Sequence, residues 1–357
     1  MPNDYNVSRT LRRWYDTHRR ALPWRDTRDP YRIWISEVIL QQTRVAQGMD
    51  YYHRFLERFP DVRALADAAE QDVLRLWQGL GYYSRARNLH AAARDVRDRF
   101  AGRFPTAYAD VRSLSGIGDY TAAAIVSFAT GAPYAAVDGN VLRVIGRLFA
   151  IDTPTDTSAG RRLYNDLARS LLPPDHAGEH NQAIMEFGAL QCVPRNPDCS
   201  VCPLVARCAA HAAGTPERFP VKQHRTKTVD RYFHYFYVTT GDDLFLHRRP
   251  AGDIWQGLFE LPLIETSAPA DLDALMRTDD FRALFADTGN TQFALVAADV
   301  RHVLTHRILH ATCYIARIER PSEALLRLTH TSRGDLDRYP LPRLMTLLID
   351  RVDSRGR

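Results

Sequence analysis

The stretch Leu114-Ser115-Gly116-Ile117-Gly118-Asp119-Tyr120-Thr121-Ala122 sets a Gly-x-Gly turn between two apolar segments of helical spacing. Glycine lets a chain reverse sharply, and such a turn presents backbone N–H groups at the start of the next helix, where an anion is favoured. Gly116 and Gly118 are therefore candidate phosphate-gripping residues. A bare Gly-x-Gly serves any tight helix connection; Leu-x-Gly-Ile-Gly followed by Thr and a run of alanines is more specific. Outward from this turn, residues 1–212 read as helical. Segments 62–77, 86–100, 120–130 and 160–172 place Ala, Leu, Val and Phe at helical spacing, with Arg and Asp on the other face.

The chain has 357 residues, more than one hydrophobic core usually serves, so two unequal domains are expected. Residues 213–230, AGTPERFPVKQHRTKTVD, read as a linker. From 231 the pattern changes to short aromatic and β-branched runs, RYFHYFYVTT, DLFLHRR and ILHATCYIARI, with helical stretches at 270–285 and 342–352. This predicts a smaller α+β domain over 231–357. The net charge of +5 divides as +4 on 1–212, +2 on 213–230 and −1 on 231–357. The basic excess lies with the helical half and the linker, which supports sequence-independent phosphate contact there. No run of eighteen apolar residues exists to span a membrane, and the polar start lacks a secretory apolar core. The expected compartment is the reducing cytosol, with a monomer as the default state.

Of the 47 basic residues only Lys222 and Lys227 are lysines. The first 221 residues hold no side-chain amine to act as a Schiff-base nucleophile. Four of the five cysteines fall together as Cys192-x6-Cys199-x2-Cys202-x5-Cys208. In a reducing compartment, clustered thiols point to metal. Structural zinc usually draws on two separated Cys-x2-Cys pairs, whereas one central pair with single outer cysteines suits a four-thiolate iron–sulfur cubane; zinc stays open as the alternative. Cys313, alone on an apolar strand, reads as a small core residue. Asp138, in Ala136-Val137-Asp138-Gly139-Asn140-Val141, reads on its own as a helix N-cap.

The glycine turn resembles the helix-hairpin-helix of DNA repair proteins. With Val-Asp-Gly-Asn-Val and the cysteine pattern following in that order, residues 8–210 are similar to the endonuclease III superfamily. Within it the resemblance is to the adenine DNA glycosylase (MutY) family. Leu22-Pro23-Trp24-Arg25, Ile35-Ser36-Glu37-Val38-Ile39-Leu40-Gln41-Gln42-Thr43 and Gly79-Leu80-Gly81-Tyr82-Tyr83-Ser84-Arg85 carry it. It implies a two-lobed helical glycosylase domain with a [4Fe-4S] cluster on Cys192, Cys199, Cys202 and Cys208. The partner implied is double-stranded DNA in which adenine stands opposite 8-oxoguanine or guanine. The resemblance assigns Glu37 to protonating the adenine and activating water, and Asp138 to stabilising the sugar cation. Burial in the apolar run Ile33–Leu40 predicts a raised Glu37 pKa. Tyr120 and Asn140 match further active-site positions. Trp24, Arg25, Leu40 and Gln182 match the adenine pocket, with Arg25 and Gln182 suited to hydrogen-bond the flipped base. Gln42 and Tyr82 match residues that fill the gap it leaves.

Bifunctional relatives form a Schiff base with a lysine just after the hairpin glycines; Tyr120 stands there, so the expected enzyme is monofunctional. Trp255-Gln256-Gly257-Leu258-Phe259-Glu260-Leu261-Pro262 resembles a Nudix turn, but the sequence after it lacks the carboxylate array that holds magnesium. The resemblance is to the MutT-like domain that recognises 8-oxoguanine, here through Leu304, Thr305 and His306. Leu304 stands where many relatives carry an aromatic residue. Three other readings compete: a bifunctional pyrimidine-lesion glycosylase, a non-catalytic DNA-scanning module and a nucleotide hydrolase. Tyr120, the Glu37 and Asp138 pair and the missing magnesium box count against them in turn.

Overall fold

Two helices with almost no polar face carry Glu37 and Tyr120, two of the candidate site residues. Pro30–Leu40 buries Tyr31, Ile33 through Ile39, and Asp119–Thr130 buries Thr121 through Ser127. A helix that is apolar all round has to be surrounded by protein, and these two pack on each other. The computed structural model describes residues 5–224 and 227–355; residues 1–4, 225–226 and 356–357, two of them in the expected linker, lie outside the described residues.

The chain divides into two compact units, Met1–Asp67 with Asn88–Arg225, and Ala68–Arg87 with Thr226–Arg357. In the first unit the N-terminal helix Tyr5–His18 turns Val7, Leu11, Trp14 and Tyr15 inward at i, i+4, i+7, i+8 spacing. They meet Val144, Ile145 and Leu148 of helix Gly139–Leu148, Tyr164 and Leu167 of Ser158–Leu171, and Ile184 and Phe187 of Ala177–Leu190. Leu11 and Ile145 are fully buried, each contributing about 1.5–3 kcal/mol of transfer free energy. The predicted helix 62–77 is two short helices, Val62–Asp67 and Glu70–Leu76.

The second unit is built on a mixed sheet of β1 (Val229–Thr240), β2 (Asp243–Arg248), β3 (Phe259–Glu260), β4 (Leu263–Thr266), β5 (Gln292–Val303), β6 (Arg307–Arg317) and β7 (Thr329–Ser332). Its order is β3-β2-β1-β6-β5, with β4 on β1 and β7 on β2. β1 runs parallel to β6, from Val229 opposite Arg307 to Thr239 opposite Arg317. Its unbroken buried run, Phe233–Val238, reflects cover on both faces. Helix Arg343–Arg355 packs Leu344, Met345 and Leu348 on one face; Leu275 and Phe281 of two short helices pack on the other.

Both linear domain boundaries need adjustment. Within the second unit the Gln71 amide donates to the Arg338 carbonyl at 3.2 Å, the Tyr83 hydroxyl to the Leu341 carbonyl at 3.3 Å, and Arg87 to the Gln256 carbonyl at 2.8 Å. Of the expected linker, 213–224 is folded onto the first unit, whereas Val229 and Asp230 already belong to β1 of the second. Thr155 N–H donates to the Val221 carbonyl, the Asp156 carboxylate accepts from the N–H groups of Gln223 and His224 at 2.9 Å, and Phe219 is buried.

Candidate active site

Helix Pro30–Leu40 starts on Asp29, whose side chain accepts from Tyr31 N–H, and carries Glu37 on its third turn. The glycine turn starts helix Asp119–Thr130, which places Tyr120 in its first turn. Gly116 has φ +74°, and a Cβ there would stand 2.6 Å from Asn88 Cβ, so glycine is required twice over. Gly118 is the N-cap of that helix, with φ −89° and open space beside it, so neither backbone strain nor a neighbouring atom demands glycine there. Asp138 caps helix Gly139–Leu148, its Oδ1 accepting from Val141 N–H at 2.8 Å.

These three elements converge on one cavity of about 990 Å³. Trp24, Arg25, Glu37, Leu40, Gln42, Tyr120, Asp138, Asn140 and Gln182 all line it, so nine residues picked from sequence share one space. The Tyr120 hydroxyl donates to Glu37 Oε2 at 2.6 Å. Burial pushes the Glu37 carboxyl up to about 7; the Tyr120 hydrogen bond and Arg25 oppose that, and Asp138 adds to it. Burial also raises Asp138, against hydrogen bonds from Val141 and from the Asn140 amide at 2.8 Å. Tyr120 is held well above its ordinary value by burial and by Glu37 and Asp138, so it is a hydrogen-bond donor at neutral pH. Gln42, exposed at the cavity, has φ +57°, an uncommon conformation for a residue with a Cβ.

Four residues around this site escaped the sequence reading. Glu186, 1% exposed, takes both guanidinium nitrogens of Arg25, at 2.8 and 2.7 Å, and also binds Arg20. Arg20 and Arg25 hold its carboxyl down at about 2 against the effect of burial. Tyr15 donates to Gln182 Oε1 at 2.7 Å. Arg143 donates to Asn140 Oδ1 and to the Cys192 carbonyl, both at 2.8 Å. Their partners lie up to 167 residues away, and no local pattern signals that; the one available sign was Glu186 on the mostly apolar run Ala183–Leu190.

The four clustered cysteines are free and half-buried, and they line one cavity of about 30 Å³ with Arg147. The Arg147 guanidinium is buried, 3.4 Å from Cys192 Sγ, and donates to the carbonyls of Val193, Pro194 and Pro216. Among the described residues no three His, Cys, Asp or Glu side chains are arranged to hold a single ion.

Within the second unit, Leu304, Thr305 and His306 form the turn from β5 to β6, closed by Leu304 N–H donating to the Arg307 carbonyl at 2.8 Å. Leu304 packs on the core, which accounts for an aliphatic side chain there, while Thr305 and His306 are exposed. The hydroxyls of Tyr82 and Thr305 are hydrogen-bonded to each other. Both line a cavity of about 440 Å³ with Trp255 and His302. Glu260 is fully buried and accepts from Arg249 at 2.8 and 2.9 Å and from the Tyr235 hydroxyl at 2.9 Å.

Known proteins match these two parts in the same order. Residues 35–168 match the HhH-GPD superfamily of base excision DNA repair proteins, and residues 234–351 match the NUDIX domain. An adenine DNA glycosylase of Buchnera aphidicola subsp. Baizongia pistaciae is 32% identical over 308 residues, 86% of this chain and 83% of that one. The adenine DNA glycosylase of Mus musculus is 45% identical over 208 residues, covering 56% of this chain and 40% of the mouse protein. Among solved structures, a thermostable thymine-DNA glycosylase aligns at 30% identity and a TM-score of 0.55, over 58% of this chain and 96% of that one. A non-covalent complex of endonuclease III with DNA aligns at 22% and 0.51, a likeness of fold. With paired carboxylates in one lobe, a Nudix-type sheet beyond it and relatives matched along most of its length, the chain belongs to the adenine DNA glycosylase family.

Proposed function

We propose that this chain excises adenine standing opposite 8-oxoguanine or guanine in duplex DNA, by hydrolysing the N-glycosidic bond and leaving an abasic site. One observation carries the reading: Glu37 and Asp138 line the same cavity in different settings. Glu37 is buried and pushed up to about 7, while Asp138 is held by the donors of Val141 and Asn140. Cleaving a glycosidic bond through an oxocarbenium-like state needs an acid for the leaving group and a carboxylate for the sugar. Tyr120 occupies Glu37 Oε2 and leaves Oε1 to carry the proton to adenine N7. The base departs with that proton, the Asp138 carboxylate faces the sugar cation, and the Glu37 carboxylate accepts a proton from the water that attacks C1′. Adenine must be flipped out of the stack to enter, with Trp24, Leu40, Arg25 and Gln182 as the walls that receive it and Gln42 at the cavity mouth.

The opposite base falls to the second unit. The cavity holding Tyr82, Thr305 and Trp255 offers two hydroxyls beside an aromatic surface, a combination suited to a modified purine. The helix-hairpin-helix, with Gly118 left open, is the phosphate grip. Four thiols around one space with a guanidinium beside them fit a [4Fe-4S] group on Cys192, Cys199, Cys202 and Cys208. Bound there, the group supplies a four-point staple for the 192–208 loop, and Arg147 offsets thiolate charge.

The test is single-turnover excision on duplexes with adenine opposite 8-oxoguanine, guanine or thymine, with and without alkali. Strand scission should appear only after alkali, and borohydride should trap little covalent complex. Glu37→Gln should lower the rate by roughly 10²–10⁴ with duplex binding kept; near-native excision by that variant refutes the assignment.

A further inference from the structure

Behind Arg25, the base-receiving cavity has a buried carboxylate in its wall that the reaction as described leaves idle. Glu186, on helix Ala177–Leu190, binds two arginines at once. Its Oε1 accepts from the Arg20 backbone N–H and Arg20 Nε, both at 2.9 Å, and from Arg25 Nη1 at 2.8 Å; its Oε2 accepts from Arg25 Nη2 at 2.7 Å. Arg25 Nη1 donates also to the Arg20 carbonyl at 2.9 Å. Both terminal nitrogens of Arg25 are thus committed to this clamp, and the Tyr15 ring covers the guanidinium at 5.4 Å. Arg20, Arg25 and Glu186 all line the cavity that holds Glu37.

We propose that Glu186 is a positioning residue for the excision: it ties Arg25 to the cavity wall and cancels its charge, so that Arg25 does not pair with the Glu37 carboxyl. Two guanidinia and one carboxylate share the wall. Removing the carboxylate leaves two like charges side by side in a partly dry space, where their repulsion is stronger than in water. Of the two other carboxyls lining the cavity, Asp138 is held by Val141 and Asn140, and Glu37 is the one Arg25 already acts on; pairing with it favours the ionised form. An ionised Glu37 has no proton for the departing base. The other groups facing Glu37 are the Tyr120 hydroxyl from helix Asp119–Thr130 and Asp138 at the start of Gly139–Leu148. Arg25 lowers the Glu37 pKa only as the smallest of its influences while the clamp is closed. The idea rests on Glu37 being the acid.

Glu186→Gln keeps the shape of the side chain and removes its charge. Single-turnover excision of adenine opposite 8-oxoguanine, followed from pH 5.5 to 9 with the full-length protein, should show the alkaline loss of activity moving down by about one pH unit. The rate would then be about tenfold below wild type at pH 8 and within about threefold of it at pH 5.5. Adding Arg25→Met to Glu186→Gln should return the alkaline limb to its wild-type position, which repair of packing alone would not do. A rate reduced equally at every pH, or an unshifted limb, overturns the clamp. If Glu186→Gln does not fold, Arg25→Met alone decides: a cancelled charge predicts a limb displaced by less than about 0.3 units, and a full unit upward overturns the proposal. An active Glu37→Gln would defeat the underlying assignment; an inactive Glu37→Gln with an unshifted Glu186→Gln limb defeats the clamp alone.

Discussion

Glu37 is a liability to the fold that the proposed reaction would use. Its carboxyl titrates near 7 in the folded chain, well above an ordinary carboxyl, so the folded state binds more protons than the unfolded state between those values. Stability therefore falls as pH rises from about 4.5 and levels off above about 7, by an amount on the order of 3 kcal/mol. Glu37→Gln should melt higher than wild type at pH 8, with the gap closing toward pH 5; thermal melts at both pH values check it, and equal melting temperatures would contradict a buried, uncompensated carboxyl. Glu37 was legible in the sequence because a charge inside an apolar helix has few reasons to be there. Glu186 was not, because its two guanidinium partners arrive from a turn more than 160 residues earlier. The same distance hid Tyr15 behind Gln182.

Among the elements, the glycine hairpin separates two demands that its sequence merges. Gly116 answers to the fold: its φ of +74° and the contact with Asn88 should make Gly116→Ala destabilising by about 1–3 kcal/mol in urea melts. Gly118, with open space beside it, answers to the proposed phosphate grip. Gly118→Ala should change stability by less than about 1 kcal/mol yet weaken duplex binding several-fold, because the methyl would enter the open space where the proposed grip brings a phosphate. If both variants lose stability alike, the division is wrong. The pattern announced several elements, since the aromatic run of β1 and the apolar run 120–130 follow from which faces are covered. It missed the break after Asp67, which falls in an alanine-rich stretch with no proline or glycine to mark it.

At the level of the whole molecule, order along the chain and order in space part company. Residues 68–87 have the composition of the helical half, but their contacts place them with the sheet, and composition has no means of reporting that. One outcome is that Tyr82, expected beside the oxidised base, shares a cavity with Thr305, expected to recognise it. Thr305→Ala should therefore erode the proposed preference for adenine opposite 8-oxoguanine over adenine opposite guanine, with little change in the rate on the guanine mispair. Equal loss on both substrates would argue for a structural role. The fully buried Glu260, saturated by Arg249 and Tyr235, has a consequence for what the sheet can become. Removing one partner of such a buried pair costs about 3–5 kcal/mol. Any recruitment of this carboxylate to a new ligand at the turn would first have to break the Arg249 and Tyr235 contacts and meet that loss of stability, so the ion pair ties this part of the sheet to its present arrangement.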